Sequence, residues 1–215
     1  MQDIQHVNPT SSKSLPVTPY QGMDFVVNPP VILPCLDFNM LFPKVQPLEV
    51  EVGCGKGRFL LNKSLANPGI NFIGIERMME RVRKVAKKLD RAKSANVRIL
   101  RMDAVYVVQR LLPAGSVSAF YFFFPDPWPK RRHESNRLFS AGFLNDLART
   151  LTKEGRINIA TDHLEYHEAI VKLFLKDVRF KQVDAYVTSE AERTEFETIF
   201  IGQGKPIGRS SFVLA

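Results

Sequence analysis

Residues Pro47–Gly57 read PLEVEVGCGKG, and the rest of the chain is organised around them. Leu48, Val50 and Val52 alternate with Glu49 and Glu51, which is the period of a strand entering a sheet. Gly53, Gly55 and Gly57 follow at every second position. Glycines there let the backbone turn sharply into a helix and approach a ligand with no Cβ in the way. NAD, FAD and S-adenosylmethionine sites all use such turns, and so do purely structural ones.

Working outward, short apolar runs alternate with helix-compatible segments. After Gly57, GRFLLNKSLANP places Phe59, Leu60, Lys63 and Ala66 at helical spacing, with Pro68-Gly69 as its stop. Asn71–Glu76 is a second strand. RMMERVRKVAKKLDRA follows, with Met78, Val82, Val85 and Leu89 tracing one apolar face and Arg77, Arg81, Lys84, Lys88 and Arg91 mainly off it. Val97–Met102 is a third strand, followed by Asp103 and a helical AVYVVQRLL. Ser116–Phe124, SVSAFYFFF, suits a central strand buried on both faces.

Pro125-Asp126-Pro127-Trp128-Pro129 forces an open, stiff loop. A helix is expected over Arg137–Leu151, using Phe139, Phe143, Leu147 and Leu151, and then a fifth strand, RINIATD, ending at Asp162. The next helix uses Leu164, Ile170 and Phe174. Phe180–Val187 and Phe196–Ile201 read as two final strands joined by the polar SEAERTE loop. The sum is an α/β, three-layer, Rossmann-like fold: a mostly parallel sheet with an antiparallel edge.

Residues 1–30, with Pro9, Pro16, Pro19, Pro29 and Pro30, read as an irregular arm, of which Met23–Val27 packs one short segment onto the body. Residues 31–215 form the single domain, with 33–43 covering one edge of its core. Of the 215 residues 45% are hydrophobic and 24% charged, too apolar for disorder along the whole chain. Lys+Arg 30 against Asp+Glu 22 gives +8, a balance that favours polyanionic partners. Cys35 and Cys54 form no Cys-x-x-Cys or Cys/His cluster, so neither a disulfide framework nor a metal is expected, and a cytoplasmic location is. No apolar run approaches a membrane span, and nothing at the start resembles a signal peptide.

Acidic residues stand at the strand ends. Glu51 precedes the glycine turn, Glu76 ends the second strand, and Asp103 follows the third, so all can converge at the ligand-binding edge of a doubly wound sheet. Glu76 suits acceptance of two ribose hydroxyl hydrogens, and Asp103 recognition of an adenine edge. Each is also placed to cap the helix that follows it. NAD competes for the same turn, but no His/Asp or Tyr/Lys pair for hydride transfer accompanies it.

Together EVGCGKG at 51–57, FIGIE at 72–76, DA at 103–104, FFPDPWPKRRH at 123–133, ATDH at 160–163, TEFE at 194–197 and GKPI at 204–207 resemble the bacterial tRNA (guanine-N7)-methyltransferases. The resemblance covers about residues 20–215 and implies methyl transfer from S-adenosylmethionine to N7 of a guanine in the tRNA variable loop. It implies cofactor binding by Glu51, Gly53, Gly55, Gly57, Glu76, Asp103 and Ala104, with Asp126 as the catalytic residue. Lys130, Arg132, His133, Asp162, Thr194 and Glu197 are the implied substrate-binding residues. The implied partner is tRNA, with no membrane and no obligate protein partner, and a monomeric or homodimeric chain. Gly208 departs from the aromatic residue common after GKPI.

The chemistry reads directly from the reactants. Guanine N7 carries an in-plane lone pair and no proton, so orientation matters more than a general base. Asp126 suits orientation and electrostatic support, or organisation of its own loop. Glu197 suits acceptance from guanine N1–H or N2–H₂, and Thr194 a bond in the same pocket. Trp128 either stacks on a base or covers the loop; Lys130–Arg132 contact phosphate or form a solvated run. The basic helix at 77–93 is a second RNA surface or a solvent face. An exocyclic-amine RNA methyltransferase and a non-catalytic tRNA-binding protein are the competing functions.

Overall fold

The computed structural model describes residues 25–27, 35–128, 132 and 136–215. The expected arm at 1–30 therefore lies outside the described residues except at 25–27, as do Lys130 and His133 of the loop after the central strand.

Eight strands form one sheet in the order β1-β4-β3-β2-β5-β6-β8-β7. They are β1 Val26–Val27, β2 Leu48–Val52, β3 Asn71–Ile75, β4 Val97–Leu100, β5 Val117–Phe123, β6 Leu151–Thr161, β7 Phe180–Val183 and β8 Gly208–Leu214. β1 through β6 pair in parallel, while β8 runs antiparallel between β6 and β7. The helices are α1 Phe38–Leu41, α2 Arg58–Ala66, α3 Met79–Ala92, α4 Ala104–Tyr106, α5 Ala141–Thr150, α6 Leu164–Leu175 and α7 Glu195–Gly202. A π-helical turn, Val107–Leu111, continues α4.

The period-two rule explains the layers. Along β5, Phe120 and Phe122 enter a core with Leu111, Phe143, Leu147, Ile170 and Phe174, which places α4, α5 and α6 on that face. Ala119, Tyr121 and Phe123 point to the opposite face, where Phe59 of α2 meets them. On that second face Leu60 packs with Phe72, Val82, Val85 and Leu89, so α3 shares the layer with α2. The sheet is thus sandwiched between helices, as expected, and no helix among the described residues is long and apolar enough to cross a membrane.

Several local expectations need correction. Phe196–Ile201 is not a strand but most of α7, and the antiparallel partner of β7 is β8, one strand in from the edge. The cause is a cap: Thr194 Oγ1 accepts the Glu197 amide at 3.0 Å, which starts a helix through a run of otherwise strand-favouring residues. The strand from Phe180 stops at Val183 rather than Val187.

The helix expected from Arg137 begins at Ala141, where Ser140 Oγ accepts the Phe143 amide, and Leu151 already opens β6. Between Val117↔Leu151 and Ala119↔Arg156 the β5–β6 register slips, which leaves 152–155 out of the ladder. Met78 is exposed at the N-cap of α3 instead of lying on its apolar face, and Leu164 and Ala66 are exposed too. Tyr166 occupies the core in place of Leu164.

Candidate functional site at the carboxyl edge of the sheet

The order of strands changes direction at β2, which lies between β3 and β5. Parallel strands bring their carboxyl ends to one edge, and the crevice at such a reversal is where open α/β sheets bind ligands. The glycine turn follows β2, Glu76 follows β3, Asp103 lies beyond β4, Asp126 beyond β5 and Asp162 beyond β6. Topology alone therefore places all five groups at the same edge.

The turn is built from left-handed glycines, with φ of 75° at Gly53, 54° at Gly55 and 70° at Gly57. Its strand-side end is tied to β3, since Gly53 N and Cys54 N donate to Ile75 O at 2.8 and 3.0 Å. Gly57 answers two demands. Its φ disfavours any side chain, and a Cβ there would stand 2.7 Å from Val85 Cγ1 of α3. At Gly53 a Cβ would meet nothing within 4 Å, so the outer part of the turn borders open space.

Glu76 is buried. Its Oε2 accepts the Gly55 amide at 3.1 Å and lies 3.5 Å from Arg81 Nη1, while Oε1 accepts the Met78 amide at 2.9 Å. It therefore joins the turn to the start of α3. These two accepted bonds leave further carboxylate lone pairs for another donor. Asp103 caps α4 as anticipated: Oδ1 accepts Val105 N at 3.0 Å and Tyr106 N at 3.2 Å, and Oδ2 lies 3.8 Å from Arg77 Nη1. Ala104 is the first residue of that helix.

Glu51 is 4% exposed, and its Oε2 has no hydrogen-bond partner. Burial pushes its carboxyl well above the usual range, and the charge of Glu195 adds to this; the Leu60 amide opposes, and Glu76 raises it again. A buried carboxyl with an open oxygen, next to the turn and near two other carboxylates, is chemically fitted to a cationic group.

On the β5 side, Phe124 and Trp128 hold φ of 55° and 43° on either side of Pro125-Asp126-Pro127. Non-glycine residues in that region carry strain, and such strain gathers at functional loops. Phe124 N donates to Ala160 O at 2.7 Å, and Arg137 Nε donates to Pro127 O at 3.0 Å; these fix both ends of the segment that exposes Asp126. Arg132 is exposed. Asp162 lies 3.7 Å from Lys205 Nζ.

Thr194 and Glu197 arrive on α7, which is held beside the turn by two contacts. Arg58 Nη1 donates to Thr198 Oγ1 at 3.1 Å, and Lys88 Nζ lies 3.5 Å from Glu195 Oε1 while donating to Lys56 O at 2.7 Å. Glu197 is 1% exposed, with Oε1 accepting from Thr188 Oγ1 at 2.6 Å and from Arg209 Nη2. Thr194 Oγ1 is used as the helix cap. Sequence reasoning singled out neither Thr188 nor Arg209. The Thr-x-x-Glu spacing of 194–197 is a capping signature that could have located the helix, but nothing marks a partner from another strand.

A second polar cluster also went unread. Lys63 Nζ donates to Tyr186 Oη at 2.9 Å and Glu192 Oε1 at 3.1 Å, and Tyr186 Oη donates to Glu192 Oε2 at 2.8 Å. Burial pushes the Tyr186 phenol up to about 12, with opposing contributions from Lys63 and Glu192. The cluster fastens the segment before α7 to α2.

Comparison with known proteins finds matches over most of the chain. A family profile described as "Putative methyltransferase" matches residues 45–209. The chain is 33% identical over 175 residues to a tRNA (guanine-N(7)-)-methyltransferase of Alkaliphilus oremlandii, covering 79% of this chain and 82% of that one. It is likewise 33% identical over 184 residues to the protein of that name from Sodalis glossinidius, covering 83% and 74%. Among solved structures, the 16S rRNA methyltransferase KamB superposes with a TM-score of 0.60 at 16% identity, covering 82% of this chain and 91% of that one, a likeness of fold.

Proposed function

Since the chain belongs to the methyltransferase family matched over residues 45–209, we propose that it transfers a methyl group from S-adenosylmethionine to N7 of a guanine in the tRNA variable loop. What carries this reading is the convergence, at one sheet edge, of a ligand-permissive turn with the unpartnered buried Oε2 of Glu51 on one side and exposed Asp126 on the other. The names of the relatives supply the RNA substrate class and the atom.

Gly53, Gly55 and Gly57 shape the cofactor cradle, Glu76 and Asp103 hold the adenosine portion with Ala104 beside it, and Glu51 faces the cationic amino end. When bound, S-adenosylmethionine supplies an electrophilic methyl sulfonium. N7 of guanine attacks through its own lone pair, so Asp126 orients the base and supports the positive charge that grows on the imidazole ring; it abstracts no proton. Glu197, kept in place by Arg209 and Thr188, accepts from the guanine N1–H and N2–H₂ edge, with Thr194 next to it. Asp162, Lys130, Arg132 and His133 position the RNA around this base.

The test is methyl transfer from labelled cofactor to unmodified tRNA, followed by chain cleavage at N7-methylguanine. One cleavage in the variable loop is the expected result. Label on an exocyclic amine would make the enzyme a different RNA methyltransferase. RNA binding without label would reduce it to a binding protein.

A further inference from the structure

Helix α7 is amphipathic in the wrong sense. The residue it buries is Glu197, while Phe196 and Ile199, which lie together on another side of the helix, are 47% and 50% exposed. Apolar side chains concentrated on the outside of a helix whose inside carries an ion pair mark a docking face. The aromatic part of this face is ordered: the Phe196 and Phe200 rings lie near parallel, at 19° and 6.0 Å, and Phe200 packs 5.4 Å from Phe124. Phe124 stands two residues before Asp126, so the face continues onto the loop of the proposed catalytic residue.

Cations stand at its borders. Lys205 Nζ sits 4.5 Å from the centre of the Phe200 ring and 3.7 Å from Asp162, and Arg58 and Lys88 reach Thr198 and Glu195 on α7 itself. Near-parallel rings flanked by lysine and arginine suit a ligand that alternates flat π-faces with anionic phosphodiesters.

We propose that the outer face of α7, centred on Phe196, is a stacking surface for an unpaired nucleobase of the bound RNA, next to but separate from the site of methyl transfer. This rests on the RNA-substrate reading above. Thr194 and Glu197 face the protein interior on the same helix, so a base stacked outside and the target guanine inside would be held by one rigid element.

The test compares Phe196→Leu, which keeps most of the apolar area but removes the ring, with Phe196→Tyr, which keeps the ring. The probes are unmodified tRNA and a single-stranded oligoribonucleotide carrying 2-aminopurine, whose fluorescence falls when it stacks. The Leu variant should weaken binding of both RNAs by about 5- to 100-fold and lose the quenching, with the Tyr variant close to wild type. Cofactor affinity should be unchanged in both. Wild-type RNA affinity in the Leu variant, or equal losses in both variants, would overturn the stacking surface even if wild type methylates tRNA. A wild-type dimer that Ile199→Lys converts to monomer, with RNA binding untouched by Phe196→Leu, would assign the face to a second copy of the chain. If wild-type protein neither binds nor labels tRNA, the fault lies with the RNA reading itself.

Discussion

At the residue scale, Glu51 is a buried carboxyl with one unpartnered oxygen. Its carboxyl is raised above the unfolded value, so the contribution it makes to stability is fully present below the ordinary glutamate range and is lost as pH rises through the shifted value. Glu51→Gln removes the ionisation. The variant should therefore gain thermal stability relative to wild type as pH is raised from 5 to 8, while losing affinity for S-adenosylmethionine. Parallel melting curves across that range check the first, and calorimetry the second. The glycines separate in the same way. Gly53→Ala meets only a backbone penalty, about 1–2 kcal/mol, whereas Gly57→Ala adds the collision with Val85 and should cost about 2–4 kcal/mol by denaturant titration. Asp126 is exposed, so Asp126→Ala should leave the melting temperature in place and lower methyl transfer by about 100-fold, the scale of losing substrate orientation.

At the scale of elements, α7 and the segment before it are held by polar contacts more than by apolar packing. Arg209 of β8 meets the buried carboxylate of Glu197, and removing one partner of such a pair strands the other charge. Arg209→Met should destabilise the protein by about 3–5 kcal/mol, and Arg209→Lys should recover part of it, as read from chemical denaturation. The Lys63–Tyr186–Glu192 cluster makes the equivalent fastening to α2. At Glu192 burial works toward a raised value, but the bonds from Tyr186 and Lys63 outweigh it and hold the carboxyl below its ordinary range. This tether is therefore intact at neutral pH and weakens as pH falls through that lowered value. Lys63→Met should loosen residues 184–194, seen as faster amide exchange there, while the exchange of β5 stays slow.

For the whole molecule, a net charge of +8 favours polyanionic partners through long-range steering. Neutralising about six phosphates would lower tRNA affinity about 1,000-fold between 50 and 200 mM salt. A filter-binding series across that range measures the slope directly. On α3, Lys84 pairs with Glu80 at 2.6 Å and Arg81 with Glu76, so part of that helix's charge is spent within the protein. The aromatic core of β5 is shared between both helical layers, and the strand lies between β2 and β6 in the interior of the sheet.

The chain's local patterns determined the parallel core. Alternation in β2, the two-sided apolar run of β5, and the glycine turn need only their neighbours in sequence to be understood, because strand periodicity and backbone freedom are local properties. The acidic strand ends were legible for the same reason: once parallel strands are granted, each group's position follows. Tertiary structure decided what meets the C-terminal helix and what it buries. Phe196–Ile201 has the composition of a strand, and it became a helix because Thr194 caps it while Arg58, Lys88 and Arg209 bind it from three other elements. The same packing left Glu51 with an open oxygen and turned aromatic rings outward on α7. Neither outcome is encoded in any single stretch, since burial and ion pairing depend on segments that meet only when the sheet has formed.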